Sequence, residues 1–209
     1  MWWWPVAIST YAELKVAVQS WLKRGDILTV VDDFIDLAEA DIWERLRIRE
    51  METISSTAAS TSSRYLALPS DYLSMRRASL ISGSNRSELQ FCTPDSLSVK
   101  SGNGWPRYFT ITSQIEFDRT PDSAYTVEVQ YFKSLTALSA SNTTNAVLTR
   151  FPMIYLYGCL MHGANWAINE ELFQKYSVMF QGAIESANRL DKRGRFTPGA
   201  AMRIEGPTP

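Results

Sequence analysis

The chain has 209 residues, 45% hydrophobic and 21% charged, a balance that excludes a disordered chain and supplies enough apolar side chain for a core. Lys and Arg number 21 against 22 Asp and Glu, so the net charge is -1 and no basic excess points to nucleic-acid binding. Two distant cysteines, Cys92 and Cys159, with no CxxC spacing, read as free thiols of a cytosolic product.

The chain opens Met1-Trp2-Trp3-Trp4-Pro5-Val6. Met1–Ile8 has no Lys or Arg and contains Pro5, so it does not read as a secretion signal. A first helix is marked by Thr10 and Glu13, a capping-box pair, with Leu14, Val18, Trp21 and Leu22 following at helical spacing and Gly25 as the stop. A second helix is predicted over Thr29–Arg49, with Val31, Phe34, Ile35, Ala38, Ile42 and Leu46 on one face. Its first half is acidic (Asp32, Asp33, Asp36, Glu39, Asp41) and its end basic (Arg45, Arg47, Arg49), which suits the helix dipole of a solvated face.

The middle of the chain reads as strands and turns. Tyr65–Leu68 and Met75–Ile81 are short strand candidates, and Arg107–Thr112 and Gln114–Asp118 flank a tight turn. Tyr125–Phe132 alternates strictly, with Tyr125, Val127, Val129 and Tyr131 on one side, as in a half-buried antiparallel strand. Helical periodicity resumes at Phe151-Pro152. Phe151–Ile168 is the most apolar stretch. His162, Gly163 and Asn165 interrupt it, and it falls short of the roughly 20 apolar residues of a membrane span. It reads as a buried core helix, and no membrane partner is expected. A last helix, Glu170–Lys192, brings Phe173, Tyr176, Phe180, Ile184 and Ala187 together. The expected fold is α+β and mainly helical. About four helices (10–49 and 150–193) form a bundle with an inserted small antiparallel β domain (50–149) and extended terminal arms (1–9 and 194–209).

No constellation of residues points to catalysis, and no cofactor is expected. His162 is the lone histidine, which excludes a multi-His metal site and leaves little room for a Ser-His-Asp triad. Cys159 and His162 share a helix face, but they are half a metal site at most. Ser101–Pro106 is glycine-rich without the Lys-Ser/Thr helix that a phosphate loop needs. Two segments stand outside this account. One is the tryptophan run. The other is Arg189–Arg203, which holds Arg189, Lys192, Arg193, Arg195 and Arg203 against Asp191 and is punctuated by Pro198 and Gly199. Such a tail cannot build a core; it is either solvated or an arm that orders on a partner.

A set of strings in fixed order completes the reading: Thr10–Lys15 through Trp21-Leu22, Phe34–Ala40, Leu68–Leu73, Gly104–Thr110 and Tyr155–Gly158. Together they resemble bacteriophage head-to-tail adaptor (connector) proteins over roughly Thr10–Arg193. The resemblance implies a structural virion protein at the neck between capsid and tail, made in the host cytoplasm. Such adaptors form a homo-oligomeric ring, usually of twelve subunits, below the portal protein and joined to tail or nozzle proteins, with DNA passing through the channel. A C-terminal extension commonly reaches the portal in such adaptors, which makes Arg193, Arg195, Phe196, Pro198, Met202 and Arg203 a candidate portal-docking arm. In such a ring the large apolar area of Trp2, Trp3 and Trp4, outside the resembling span, is expected to pack against an adjacent subunit or another neck protein. Asp32, Asp33, Asp36 and Glu39 become a candidate channel-facing stretch, where like charge would keep DNA from sticking. A tail-completion or tail-tube protein of the same virion is the alternative.

Overall fold

The computed structural model describes residues 8–195. Its described residues fall into two compact units, one containing those up to Arg49 and from Thr136 onward, the other spanning Glu50–Leu135.

The first unit is helical. Helix α1, Tyr11–Leu22, begins on the capping box: the Glu13 amide donates to Thr10 Oγ1 at 3.3 Å and the Thr10 amide to Glu13 Oε2 at 3.0 Å. It buries Leu14, Ala17 and Val18 and ends at Lys23, in the left-handed region with φ 53°, before Gly25 is reached. A single 3-10 turn, Asp26–Thr29, buries Ile27 and leads to α2, Val31–Arg45.

Helix α2 stops four residues short of the expected Arg49. Leu46 takes an extended conformation, and Leu46 and Ile48 alternate into the core. The residues that follow each of them, Arg47 and Arg49, donate their amides to Asn188 Oδ1 at 2.9 Å and Asp191 Oδ1 at 3.1 Å. Those acceptors lie one turn apart on α5, Glu170–Arg195, so the last helix holds the chain out of helical geometry.

A short α3, Ala146–Arg150, is capped by Asn145 and followed by α4, Pro152–Trp166. Helix α4 is buried on nearly every side, from Ile154 to Ala164. Two glycines allow this. A Cβ on Gly158 would lie 2.9 Å from Ala38 Cβ, and one on Gly163 would lie 2.6 Å from Leu22 Cδ1. Helix α5 buries Tyr176, Phe180, Ile184 and Ala187 at spacings of three and four residues.

The second unit is a curled sheet of seven strands. They are β1 Glu52–Ala58, β2 Tyr65–Leu66, β3 Tyr72–Ser82, β4 Asn85–Phe91, β5 Tyr108–Ile111, β6 Ile115–Phe117 and β7 Thr126–Lys133, in the order β1-β7-β3-β4-β5-β6-β2. Val127, Val129 and Tyr131 of β7 pack with Leu80, Leu89, Phe109, Ile115 and Phe117 to form its core. All neighbouring pairs are antiparallel except β4 with β5, which run parallel.

This corrects the expected fold class. The chain is not a helical bundle carrying a small antiparallel insert: the described residues form five α-helices and a seven-stranded mixed half-barrel, 44% helix and 24% strand. Strands β1 and β4 account for the difference. Glu-Thr-Ile-Ser-Ser-Thr-Ala and Asn-Arg-Ser-Glu-Leu-Gln-Phe are mostly polar and largely exposed, so they lack the alternation that marks β7. The parallel pairing is also non-local, since residues 92–107 carry the chain back so that Tyr108 and Phe109 run in the same direction as Gln90 and Phe91.

Candidate interaction surfaces

The residues singled out in the sequence lie in different settings. Glu39 is buried at 3% exposure on α2, between Ile35 and Ile42 of the apolar stripe. Its Oε1 accepts the Leu138 amide at 2.9 Å and the Tyr155 hydroxyl at 2.8 Å, and Asn145 Nδ2 donates to that hydroxyl oxygen at 2.6 Å. Burial raises the Glu39 carboxyl above the usual carboxylate range despite these two hydrogen bonds. Burial, and then the nearby Glu39, also pushes up the Tyr155 hydroxyl and the Cys159 thiol. The hydrogen bonds tie Leu138 and Asn145 to α2 and α4, which is a structural task.

The other acidic residues remain outside. Asp33 and Asp36 are exposed. Asp32 accepts the Tyr11 hydroxyl at 2.6 Å and pairs with Lys15 at 2.6 Å, and these contacts hold its carboxyl below the ordinary range. The acidic face available to a partner therefore consists of Asp33 and Asp36 with a half-exposed Asp32. One turn on, Asp41 pairs with His162 Nε2 at 2.9 Å, while Cys159 is fully buried. No cluster of three metal-ligating side chains occurs among the described residues.

At the end of α5, Arg189, Lys192 and Arg193 are exposed, whereas Asp191 is buried and engaged by the Arg49 amide. The exposed charge of Arg189–Arg193 is thus wholly basic. Arg195 is the last residue of the helix; Phe196, Pro198, Met202 and Arg203 lie outside the described residues, as do Trp2, Trp3 and Trp4.

Two apolar features were not legible from periodicity. The first is a set of exposed large side chains on the helical unit. Trp21, Leu37 and Trp166 are 48%, 51% and 44% exposed, and Phe34, Leu37 and Trp166 line a shallow groove of about 280 Å³ with Asp33 and His162. Next to Trp166, the α4–α5 turn forms a complete Schellman motif, with Asn169 N–H donating to Ala164 C=O and Ile168 N–H to Asn165 C=O, both at 3.0 Å. Its left-handed position, usually glycine, is Ile168 at φ 54°, with 94% of its surface exposed. A β-branched residue there is strained, and its side chain packs on little within the subunit. The second feature is a cleft of about 790 Å³ in the sheet unit, lined by residues of β3, β4 and β5.

No described helix is long and apolar enough to cross a membrane. Comparison with curated proteins gave no match. A family model does match: that of the SU10 adaptor protein, over residues 9–203, which takes in both units. With nearly the whole sequence covered, the chain belongs to the SU10 adaptor protein family and is a structural head-to-tail adaptor of a phage.

Proposed function

We propose that this adaptor closes with copies of itself into a ring below the portal, of twelve subunits as in the resembling connectors, and joins the portal to the tail while leaving a channel for DNA. The observation that carries the reading is the end of α5. Arg189, Lys192 and Arg193 face solvent, the intervening Asp191 is turned into the fold, and residues 196–209 continue from that point. A cationic helix end followed by an arm suits docking on an acidic portal surface. One arm binds weakly, because ordering each residue costs roughly 1–2 kcal/mol, and a ring offsets that cost by presenting many arms together.

The exposed side chains of Trp21, Leu37, Trp166 and Ile168 support contact between helical units, since large apolar groups at interfaces exclude water. Asp33 and Asp36 are proposed to face the channel. Trp2, Trp3 and Trp4 are proposed to contact a neighbouring subunit. The test is a variant carrying Arg189→Glu, Lys192→Glu and Arg193→Glu, alongside a truncation lacking 196–209. Both should fold as the parent does and fail to sediment with portal rings. Normal portal assembly by both would overturn the docking reading, and capture of the parent by tail tubes in place of portals would favour a tail-completion role.

A further inference from the structure

The sheet changes partner at β4. Asn85–Leu89 pair antiparallel with β3, with Ala78 opposite Leu89, whereas Gln90 and Phe91 pair in parallel with Tyr108 and Phe109 of β5. Strand β3 meanwhile continues along β7 as far back as Tyr72, with register shifts between Tyr72 and Ser74 and between Met75 and Arg77. Among the described residues no strand lies beside Met75–Arg77 on the β4 side, and the sheet opens there into a cleft of about 790 Å³.

The cleft has two kinds of wall. Met75 and Phe109 pack with the sheet core, and Phe91, still 58% exposed, meets Phe109 edge to face with ring centroids 5.6 Å apart. Arg77, Glu88 and Gln90 are exposed at the rim. Phe91, more than half exposed, is costly to leave in water.

We propose that this cleft receives the segment Trp2-Trp3-Trp4 of a second copy of the chain; the inference rests on the ring reading, which sets each copy beside a neighbour. Three features of the segment match the cleft. In an extended chain Trp2 and Trp4 project to one side and Trp3 to the other, so two indoles reach the aromatic floor while the third meets the rim. The rim supplies a guanidinium for an indole face in Arg77, and acceptors for indole N–H groups in Glu88 and Gln90, the pairing a buried tryptophan needs. Residues 1–7, at about 3.3 Å each, could span at most roughly 23 Å. Pro5 has no amide N–H, so pairing along β3 would stop at Trp4.

The test is a full-length chain carrying Cys92→Ser, Trp3→Cys and Gln90→Cys, assembled on portal rings and oxidised gently. The expected result is a ladder of disulfide-linked oligomers running up to the ring, lost when either introduced cysteine is omitted. A second variant, Phe91→Asp, should melt as the parent does and need at least tenfold more protein to form rings. Rings that form without the ladder, an intrachain link alone, or unchanged assembly by Phe91→Asp would overturn the inference while leaving the ring reading intact. If the parent forms no ring on portals, the ring reading fails and the inference with it.

Discussion

The Tyr155 hydroxyl donates to Glu39 Oε1 at 2.8 Å across the buried contact between α4 and α2, and the Leu138 amide donates to the same oxygen. Removing one donor leaves a buried carboxylate half satisfied. Tyr155→Phe is expected to cost about 1–3 kcal/mol, read as a lower urea midpoint at unchanged slope.

The same carboxyl gives a pH signature. Its pKa is raised in the fold, chiefly by burial, so between the unfolded and folded values the native state holds a proton that the unfolded chain has released. Stability from this group is full below the unfolded value and falls as pH rises toward the folded one. Glu39→Gln lacks the effect. Its melting temperature relative to the parent should climb from pH 4 upward and then level off. Parallel melting curves across that range would contradict the assignment.

Three glycines in helices should respond differently to alanine. At Gly158 the new Cβ meets Ala38 Cβ at 2.9 Å and Phe180 at 3.1 Å, groups with little room to yield, so a loss of about 1–3 kcal/mol is expected. At Gly163 the contact is the end of the Leu22 side chain, which can turn aside, and a smaller cost is expected. At Gly182 nothing lies within 4 Å, and alanine should stabilise α5 by about 0.5–1 kcal/mol. Thermal melts of the three single variants give the ranking.

Ile168→Gly removes a β-branched side chain from a left-handed position. The expected gain is about 1 kcal/mol, or roughly 2–4 °C in melting temperature. If the residue contacts a neighbouring subunit, the stabilised variant should nevertheless assemble less well. Gains in both stability and assembly would remove Ile168 from the interface.

How far the sequence carried differs by element. The capping box of Thr10 and Glu13 and the alternation in β7 are local signals, and both elements are present where expected. Strand β4 gave no apolar alternation because it is exposed along most of its length; the clue available was Gly83-Ser84, which forms the two-residue turn from β3 with Gly83 at φ 59°. The inward turn of Glu39 was legible in principle, four residues after Ile35 and three before Ile42 on the buried stripe, but a run of acidic neighbours masks it. The cleft was not legible, because it arises where β4 exchanges β3 for a non-local parallel partner.

Asp33 and Asp36 are exposed on α2, so Asp33→Lys with Asp36→Lys should change stability by no more than about 0.5 kcal/mol. If they face the channel, particles carrying the variant should release DNA more slowly, through attraction to the phosphates. Ejection kinetics identical to the parent would place these residues on an outer, solvated face.

The most direct measurement is electron cryomicroscopy of the assembled particle at a resolution that traces side chains. The expected map has a closed ring of this chain under the portal, with the α5 ends turned toward the portal. A map with the chain on the tail tube alone, or with no ring between capsid and tail, would contradict the account.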